Sequence, residues 1–99
     1  MRAYLIADID VTDPAGYEEY RKRVPPTIVA HGGRFLTRGG ALDVLEGSWT
    51  PKRLVIVEFP SMAGLRSWYD SPEYRPLIEL RNRFATSSLI AVEGIPPPT

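Results

Sequence analysis

The sequence predicts an α+β fold, in which two similar β-α-β halves share one antiparallel sheet and carry their helices on one face of it. Three observations lead there. Strand-like and helix-like segments alternate along the chain in two similar halves. The helical segments are amphipathic and so can bury only one side. One strand, residues 53–59, is apolar on both faces, which marks it as interior to a sheet.

Ala3 to Val11 reads as the first strand. Leu5, Ala7, Ile9 and Val11 form its apolar face, and Tyr4, Ile6, Asp8 and Asp10 form a face that turns polar toward its end. Asp13 is a good N-cap and Pro14 suits the first helical position. Tyr17, Tyr20, Val24 and Ile28 then recur at helical spacing and carry a helix over residues 14–31. Pro25 and Pro26 fall inside that span. Each lacks an N–H, so the helix is expected to kink there or to split in two. His31-Gly32-Gly33 stops it, glycine being the usual residue past a helix end.

Arg34 to Arg38 is a short strand, with Phe35 and Thr37 expected on one side and Leu36 on the other. Gly39-Gly40 reads as a bend or bulge, Leu42 to Gly47 as a further strand or hairpin arm, and Ser48-Trp49-Thr50-Pro51 as a turn. In the strand from Arg53 to Phe59, Val55, Val57 and Phe59 oppose Leu54, Ile56 and Glu58. Ser61 caps a helix whose inner stripe is Leu65, Trp68 and Tyr69; Asp70-Ser71-Pro72 breaks it. Ser71 caps a further helix from Pro72 that carries Tyr74, Leu77, Ile78 and Arg81, and Ser87 to Val92 is the last strand. This order is that of a ferredoxin-like split β-α-β unit. Its helices cover one sheet face only. The other face needs a cover, and a second copy of the chain is the expected one, giving a homodimer.

Ninety-nine residues are the length of one domain, expected over residues 1–95, with 96–99 as a proline-rich tail that cannot pair in a sheet. A chain this size buries roughly 60–70% of the surface its unfolded form exposes, so its core is thin and pairing would help it. Twelve acidic and twelve basic residues balance, and no basic run is present. The chain therefore has no general pull toward nucleic acid or an anionic membrane. Ten of the basic residues are arginine. No stretch approaches the ~20 apolar residues of a membrane span. Asp8 and Asp10 interrupt the opening run, so it reads as a strand rather than a signal-peptide core, and the cytoplasm is the expected location. The absence of cysteine excludes disulfides, thiolate metal sites and cysteine catalysis.

Four stretches resemble the signature of the bacterial family called domain of unknown function 1330. They are His31-Gly32-Gly33-Arg34-Phe35-Leu36-Thr37-Arg38-Gly39-Gly40, Leu45-Glu46-Gly47-Ser48-Trp49-Thr50-Pro51, Val57-Glu58-Phe59-Pro60-Ser61, and Trp68-Tyr69-Asp70-Ser71-Pro72-Glu73-Tyr74 with Arg81 following. The resemblance covers roughly residues 2–94. It implies the dimeric α/β-barrel superfamily, where two ferredoxin-like sheets face each other inside a shell of helices. That superfamily includes cofactor-independent monooxygenases, isomerases, haem-degrading enzymes, dehydratases and non-enzymatic stress proteins. The family itself brings no assigned reaction, so no catalytic residue is carried over by analogy. The resemblance does imply a cleft between the sheet and its own helices, and His31, Arg38, Glu58, Trp68, Tyr69, Tyr74 and Arg81 are the residues expected around it.

Each of these has a chemical reading and a structural one. His31 is the single histidine, the side chain type that changes charge near neutral pH; it is a candidate acid or base, or else a helix-end residue favoured by the helix dipole. Arg38 precedes two glycines that let a ligand approach the backbone. It is a candidate fork onto a carboxylate or polarised oxygen, or else the partner of Glu58 or Glu46. Glu58, inside the most apolar strand, must be paired or hold its proton, and pairing is the simpler expectation. Asp8 is expected to face the same cavity as Glu58, and two close carboxylates would make one retain its proton. Trp68, Tyr69 and Tyr74, like Tyr17 and Tyr20, are core or ligand box; Arg81 snorkels or points into the cleft. One histidine among scattered carboxylates lacks the spacing of a metal site.

The reading that results is a small-molecule site in a sheet–helix cleft, without a cofactor, suited to acid–base chemistry on a small organic acid or oxygenation of an electron-rich aromatic, as a monooxygenase- or isomerase-like enzyme. The alternative is a dimer without chemistry, serving as a ligand-binding, stress-related or structural interaction domain. A haem-degrading enzyme is disfavoured, because the resemblance would require an asparagine on the first strand and a histidine on the second helical region, and Asp8, Asp10 and the lone His31 stand instead. Met1-Arg2 excludes a tautomerase acting through an N-terminal proline, and no Gly-x-Ser-x-Gly elbow supports a hydrolase.

Overall fold

The computed structural model describes residues 1–96; the rest of the expected tail, 97–99, lies outside the described residues. Seven elements follow in order: β1 (Ala3–Val11), α1 (Pro14–Ala30), β2 (Arg34–Arg38), β3 (Leu54–Phe59), α2 (Met62–Tyr69), α3 (Arg75–Phe84) and β4 (Ala85–Glu93). The strands form one antiparallel sheet in the order β2-β3-β1-β4. This is the predicted α+β ferredoxin-like topology, with both central strands contributed by the starts of the two halves. The Cα envelope is 45 × 39 × 16 Å, and the short dimension is that of one sheet carrying one layer of helices.

Alternation decides which sheet face is covered. Ala3, Leu5, Ala7 and Ile9 of β1 and Val55, Val57 and Phe59 of β3 are buried and pack with Tyr17, Tyr20, Val24 and Ile28 of α1, Leu65 and Trp68 of α2 and Leu77 of α3. The opposite face carries Tyr4 and Ile6 of β1, Ile56 of β3 and Ile90 and Val92 of β4. There Ile6 stands opposite Ile56 and Ile90, and Ile90 is 61% exposed. The sheet thus has one open apolar face.

The helix starts follow the capping residues. Asp13 accepts from the Gly16 N–H at 3.2 Å and Ser61 from the Gly64 N–H at 3.0 Å. Ser71 accepts from the Tyr74 N–H at 3.2 Å, but it caps a turn, and α3 begins only at Arg75 rather than at Pro72. Gly32, with φ of 78°, ends α1 in the left-handed conformation that glycine adopts freely.

Three local expectations are narrowed or corrected. First, of the kink and the split expected at Pro25 and Pro26, the split does not occur: α1 is one helix through both. A proline at 25 removes the N–H that would bond the Arg21 carbonyl, and its ring crowds that carbonyl outward. The Arg38 guanidinium donates to this oxygen at 2.6 Å and replaces the missing donor, so the helix continues. Second, Gly39 is a bend, one of the two forms expected at Gly39-Gly40, while the bulge lies between Phe35 and Thr37, where β2 spends an extra residue against β3. Phe35 therefore opposes Val57 on the helix side while Thr37 opposes Ile56 on the open side, so the two do not share a face. Third, Leu42–Gly47 forms no strand. The Asp8 carboxylate accepts from the Trp49 indole N–H at 3.2 Å and the Lys52 N–H at 3.1 Å, which draws the end of this segment onto β1 instead of leaving it to pair with 42–47.

Candidate functional site

A cavity of about 30 Å³ lies between the sheet and α1. Its floor is Leu5, Ala7, Ile9, Val55 and Val57; its roof is Tyr17, Tyr20, Val24 and Ile28; Trp68 and Tyr74 stand with Phe35 and Arg38 around it. A space of this size holds one or two water molecules. Five aromatic rings and one guanidinium border it. That makes it an apolar chamber with a few polar groups, the usual composition of a small-molecule site.

The β-bulge puts Arg38 there. From Phe35 to Arg38 is three residues, which in a regular strand would place them on opposite faces. The extra residue restores the phase: Phe35 opposes Val57, Arg38 opposes Val55, and both face the helices. The guanidinium lies 4.6 Å from the centroid of the Phe35 ring, so the two side chains form one unit. Among the described residues no carboxylate lies within 4.0 Å of Arg38, Arg53 or Arg81. Burial lowers the pKa of Arg38 from the ordinary arginine value, and the neighbouring cations Arg21 and Arg53 lower it further. Arg53 sits 6.0 Å from the centroid of the Tyr17 ring, with its Nε buried and without a partner. Burial, and then the neighbouring Tyr20, raise the pKa of Tyr17.

A hydrogen-bonded chain lies behind the chamber. The Arg81 guanidinium, on a residue 5% exposed, donates to the Tyr74 hydroxyl oxygen at 2.7 Å, and the Tyr74 and Tyr20 hydroxyls are 2.9 Å apart. Burial raises the pKa of Tyr74 far above the usual phenol value, with a further rise from Tyr20, against the pull of Arg81. Trp68 stacks on Tyr74 with centroids 4.0 Å apart and donates its indole N–H to the Thr27 hydroxyl at 3.0 Å.

The structure divides the residues picked from sequence. Arg38, Trp68 and Tyr74 border the cavity, and Arg81 stands one hydrogen bond behind it. Tyr69 packs against Trp68 and Tyr74 outside it. His31 is at the C-terminal end of α1, half-exposed, with Nδ1 3.0 Å from the Thr27 carbonyl oxygen, so it does not converge with Arg38 on the chamber. Asp8 and Glu58 are on the open sheet face, and they are not a carboxylate pair: Asp8 stands opposite Leu54 and Glu58 opposite Tyr4, four residues along β1. Glu58 is paired, with Arg34 Nε at 2.9 Å and Arg2 Nε at 3.8 Å; the Arg34 hydrogen bond holds its carboxyl below the usual carboxylate range. Neither Glu58 nor Glu46 is the partner of Arg38, whose hydrogen bond goes to a backbone carbonyl. Sequence reading left Tyr17 and Tyr20 open between core and ligand box and passed over Phe35 and Arg53. The signal for Tyr20 was its place on the same helical stripe as Tyr17, which reads equally well as core. Among the described residues no three metal-capable side chains gather, and no helix is long and apolar enough to cross a membrane.

Sheet topology, one-sided helix layer and inner chamber define a ferredoxin-like α+β protein. The chain belongs to the family described as domain of unknown function DUF1330, whose model matches residues 2–95. Among solved structures it is similar to a protein of unknown function from Rhodopseudomonas palustris, with 21% identity and a TM-score of 0.75 over 97% of this chain and 84% of that one. The cofactor-independent oxygenase SnoaB from Streptomyces nogalater matches with 14% identity and a TM-score of 0.66 over 97% and 95%. A dimeric ferredoxin-like protein of unknown function from Thermobifida fusca matches with 17% identity and a TM-score of 0.62 over 93% and 90%. At these identities the likeness is one of fold. No curated protein matches the chain.

Proposed function

We propose that this protein is a homodimeric small-molecule-binding protein whose site is the chamber between α1 and the sheet, entered past Arg38. The observation that carries this reading is Arg38 itself: a cation turned by a β-bulge toward an aromatic chamber, held by a backbone carbonyl and the Phe35 ring and, among the described residues, without a carboxylate within 4.0 Å. A half-exposed guanidinium without a carboxylate can fork onto one, and a guest with an anionic or polarised oxygen supplies it. The chamber as it stands admits water. A larger guest displaces the Arg38 side chain from the Arg21 carbonyl, and the half-exposed guanidinium closes on the guest. Tyrosine hydroxyls and arginines around an apolar chamber suit proton-transfer chemistry without a cofactor, as in an oxygenase- or isomerase-like enzyme, and a cofactor-independent oxygenase shares this fold. The homodimer is favoured by the open apolar sheet face and by the dimeric ferredoxin-like neighbour.

Trp68 borders the chamber and so supplies the assay. In a Trp49→Phe background its fluorescence is titrated with small aromatic and aliphatic carboxylates, phenols and neutral analogues. A saturable change for one class, weakened about tenfold or more in Arg38→Ala, is the expected result. Flat titrations with every class up to millimolar concentration, from a protein that sediments as a folded dimer, would leave the non-catalytic interaction dimer as the better reading.

A further inference from the structure

The chain of hydroxyls that ends at the chamber has one hydrogen too many. Arginine only donates, so the Tyr74 oxygen accepts from Arg81 at 2.7 Å. The two phenols, 2.9 Å apart, carry one hydrogen each, and the bond between them uses one. The other has no acceptor among the described residues. Both side chains are buried, Tyr74 at 0% and Tyr20 at 6% exposure, so bulk water does not take it. The empty space that both rings adjoin is the chamber. The positive end of the chain fixes the direction. With its oxygen facing the Arg81 cation, Tyr74 is the favoured donor to Tyr20, which leaves the Tyr20 hydrogen as the one without an acceptor.

We propose that Tyr20 is a binding residue, a hydrogen-bond donor that Arg81 and Tyr74 orient and polarise, and that the guest of the chamber is a small organic acid bound as its anion with an oxygen on Tyr20. This deepens the reading of the chamber as a small-molecule site and rests on it. Charge supports the same class: among the described residues Arg81, Arg53 and Arg38 have no carboxylate within 4.0 Å, so the surroundings of the chamber carry uncompensated positive charge. A guest with a donor in place of the oxygen would face a hydrogen with a hydrogen. A neutral apolar guest would leave the Tyr20 hydroxyl unpaired, which a buried donor tolerates poorly. Arg81 acts only through Tyr74 and Tyr20, and is a positioning residue.

The test uses trifluoroacetate and its neutral isostere trifluoroacetamide, both small, with binding read from the broadening of the ¹⁹F line. The wild-type protein is expected to broaden trifluoroacetate saturably at millimolar concentration and to bind the amide about tenfold more weakly or worse. Tyr20→Phe is expected to lose much of that preference at an unchanged circular dichroism spectrum, because a phenol donates more strongly to a carboxylate than to an amide oxygen. Tyr74→Phe, which disconnects Arg81 from Tyr20, is expected to reduce it. Anion held by surface arginines would survive in Tyr20→Phe, so a preference unchanged in that variant overturns the proposal. Equal binding of acid and amide by the wild type also overturns it, while leaving the chamber a binding site. Binding of neither probe, in wild type or in Arg38→Ala, overturns the chamber reading and the proposal together. Should Tyr20→Phe fail to fold, the wild-type preference and Tyr74→Phe still decide.

Discussion

The bond between Arg38 and the Arg21 carbonyl makes Pro25 and Arg38 energetically dependent on each other, and a double-mutant cycle measures by how much. Pro25→Ala restores an N–H at residue 25, which can donate to the Arg21 oxygen that Arg38 now holds at 2.6 Å. A proline inside a helix costs roughly 3 kcal/mol relative to alanine. Part of that is recovered, because proline also restricts the unfolded chain by roughly 0.4–1 kcal/mol. The Arg38 hydrogen bond, which the variant makes redundant, contributes roughly 0.5–1.5 kcal/mol more. Pro25→Ala is therefore expected to stabilise the protein by roughly 0.5–2 kcal/mol. Arg38→Ala alone strands the Arg21 oxygen, whereas on the Pro25→Ala background that oxygen keeps a helical donor. The loss of the Phe35 contact is common to both backgrounds and cancels. The expected coupling is roughly 0.5–1.5 kcal/mol, read from urea unfolding of the four proteins at one protein concentration. Additivity within about 0.3 kcal/mol, or a destabilising Pro25→Ala, would refute the account of how α1 passes its prolines.

Trp68→Ala is expected to cost about 3–5 kcal/mol in urea unfolding, since the ring is 1% exposed and packs on Phe59 and Tyr74. A loss under about 1 kcal/mol would mean that this ring is a loose wall and not core. Because Arg34 lowers the Glu58 pKa in the folded state, that contribution is fully present above the unfolded carboxylate value near 4.3 and is lost as pH falls through the lower folded value. Glu58→Gln should flatten this part of the acid limb of a melting-temperature profile, and an unchanged limb would count against the pairing. Ile90→Lys, on the open sheet face, should halve the mass seen by light scattering if a second copy covers that face; an unchanged dimer would place the interface elsewhere.

Where the sequence was readable, the determinants were local. The strand of nine residues from Ala3 to Val11, the Asp13 and Ser61 caps and the stripe Tyr17, Tyr20, Val24, Ile28 each depend on neighbours within a turn or two, and each appears as read. What failed depended on partners far along the chain. Leu42 and Val44 alternate as a strand would, yet the β2–β3 ladder stops at Arg38 opposite Val55, and Asp8, more than forty residues before Trp49, takes the end of the segment for β1. The bulge that turns Arg38 inward carries no glycine or proline to mark it, because it arises from the register against β3 and not from any residue's own preference.

The same logic separates the candidate residues. Arg38, Trp68, Tyr74 and Arg81 stood out as polar or aromatic groups in apolar surroundings, and all four lie in or directly behind the chamber. His31 stood out for its chemistry alone, and chemistry without convergence placed it at a helix end. Tyr20 was hidden for the opposite reason. Its helical position looks like core, and it is core. Only the hydroxyl of Tyr74, 54 residues away, and the arginine beyond it give its own hydroxyl a direction. A buried cation with no carboxylate is a debt that a well-packed fold seldom keeps without cause. Arg81 donates to Tyr74 and through it bears on the Tyr20 hydroxyl, so substitutions along this chain, more than at the single histidine, are where binding and stability should separate.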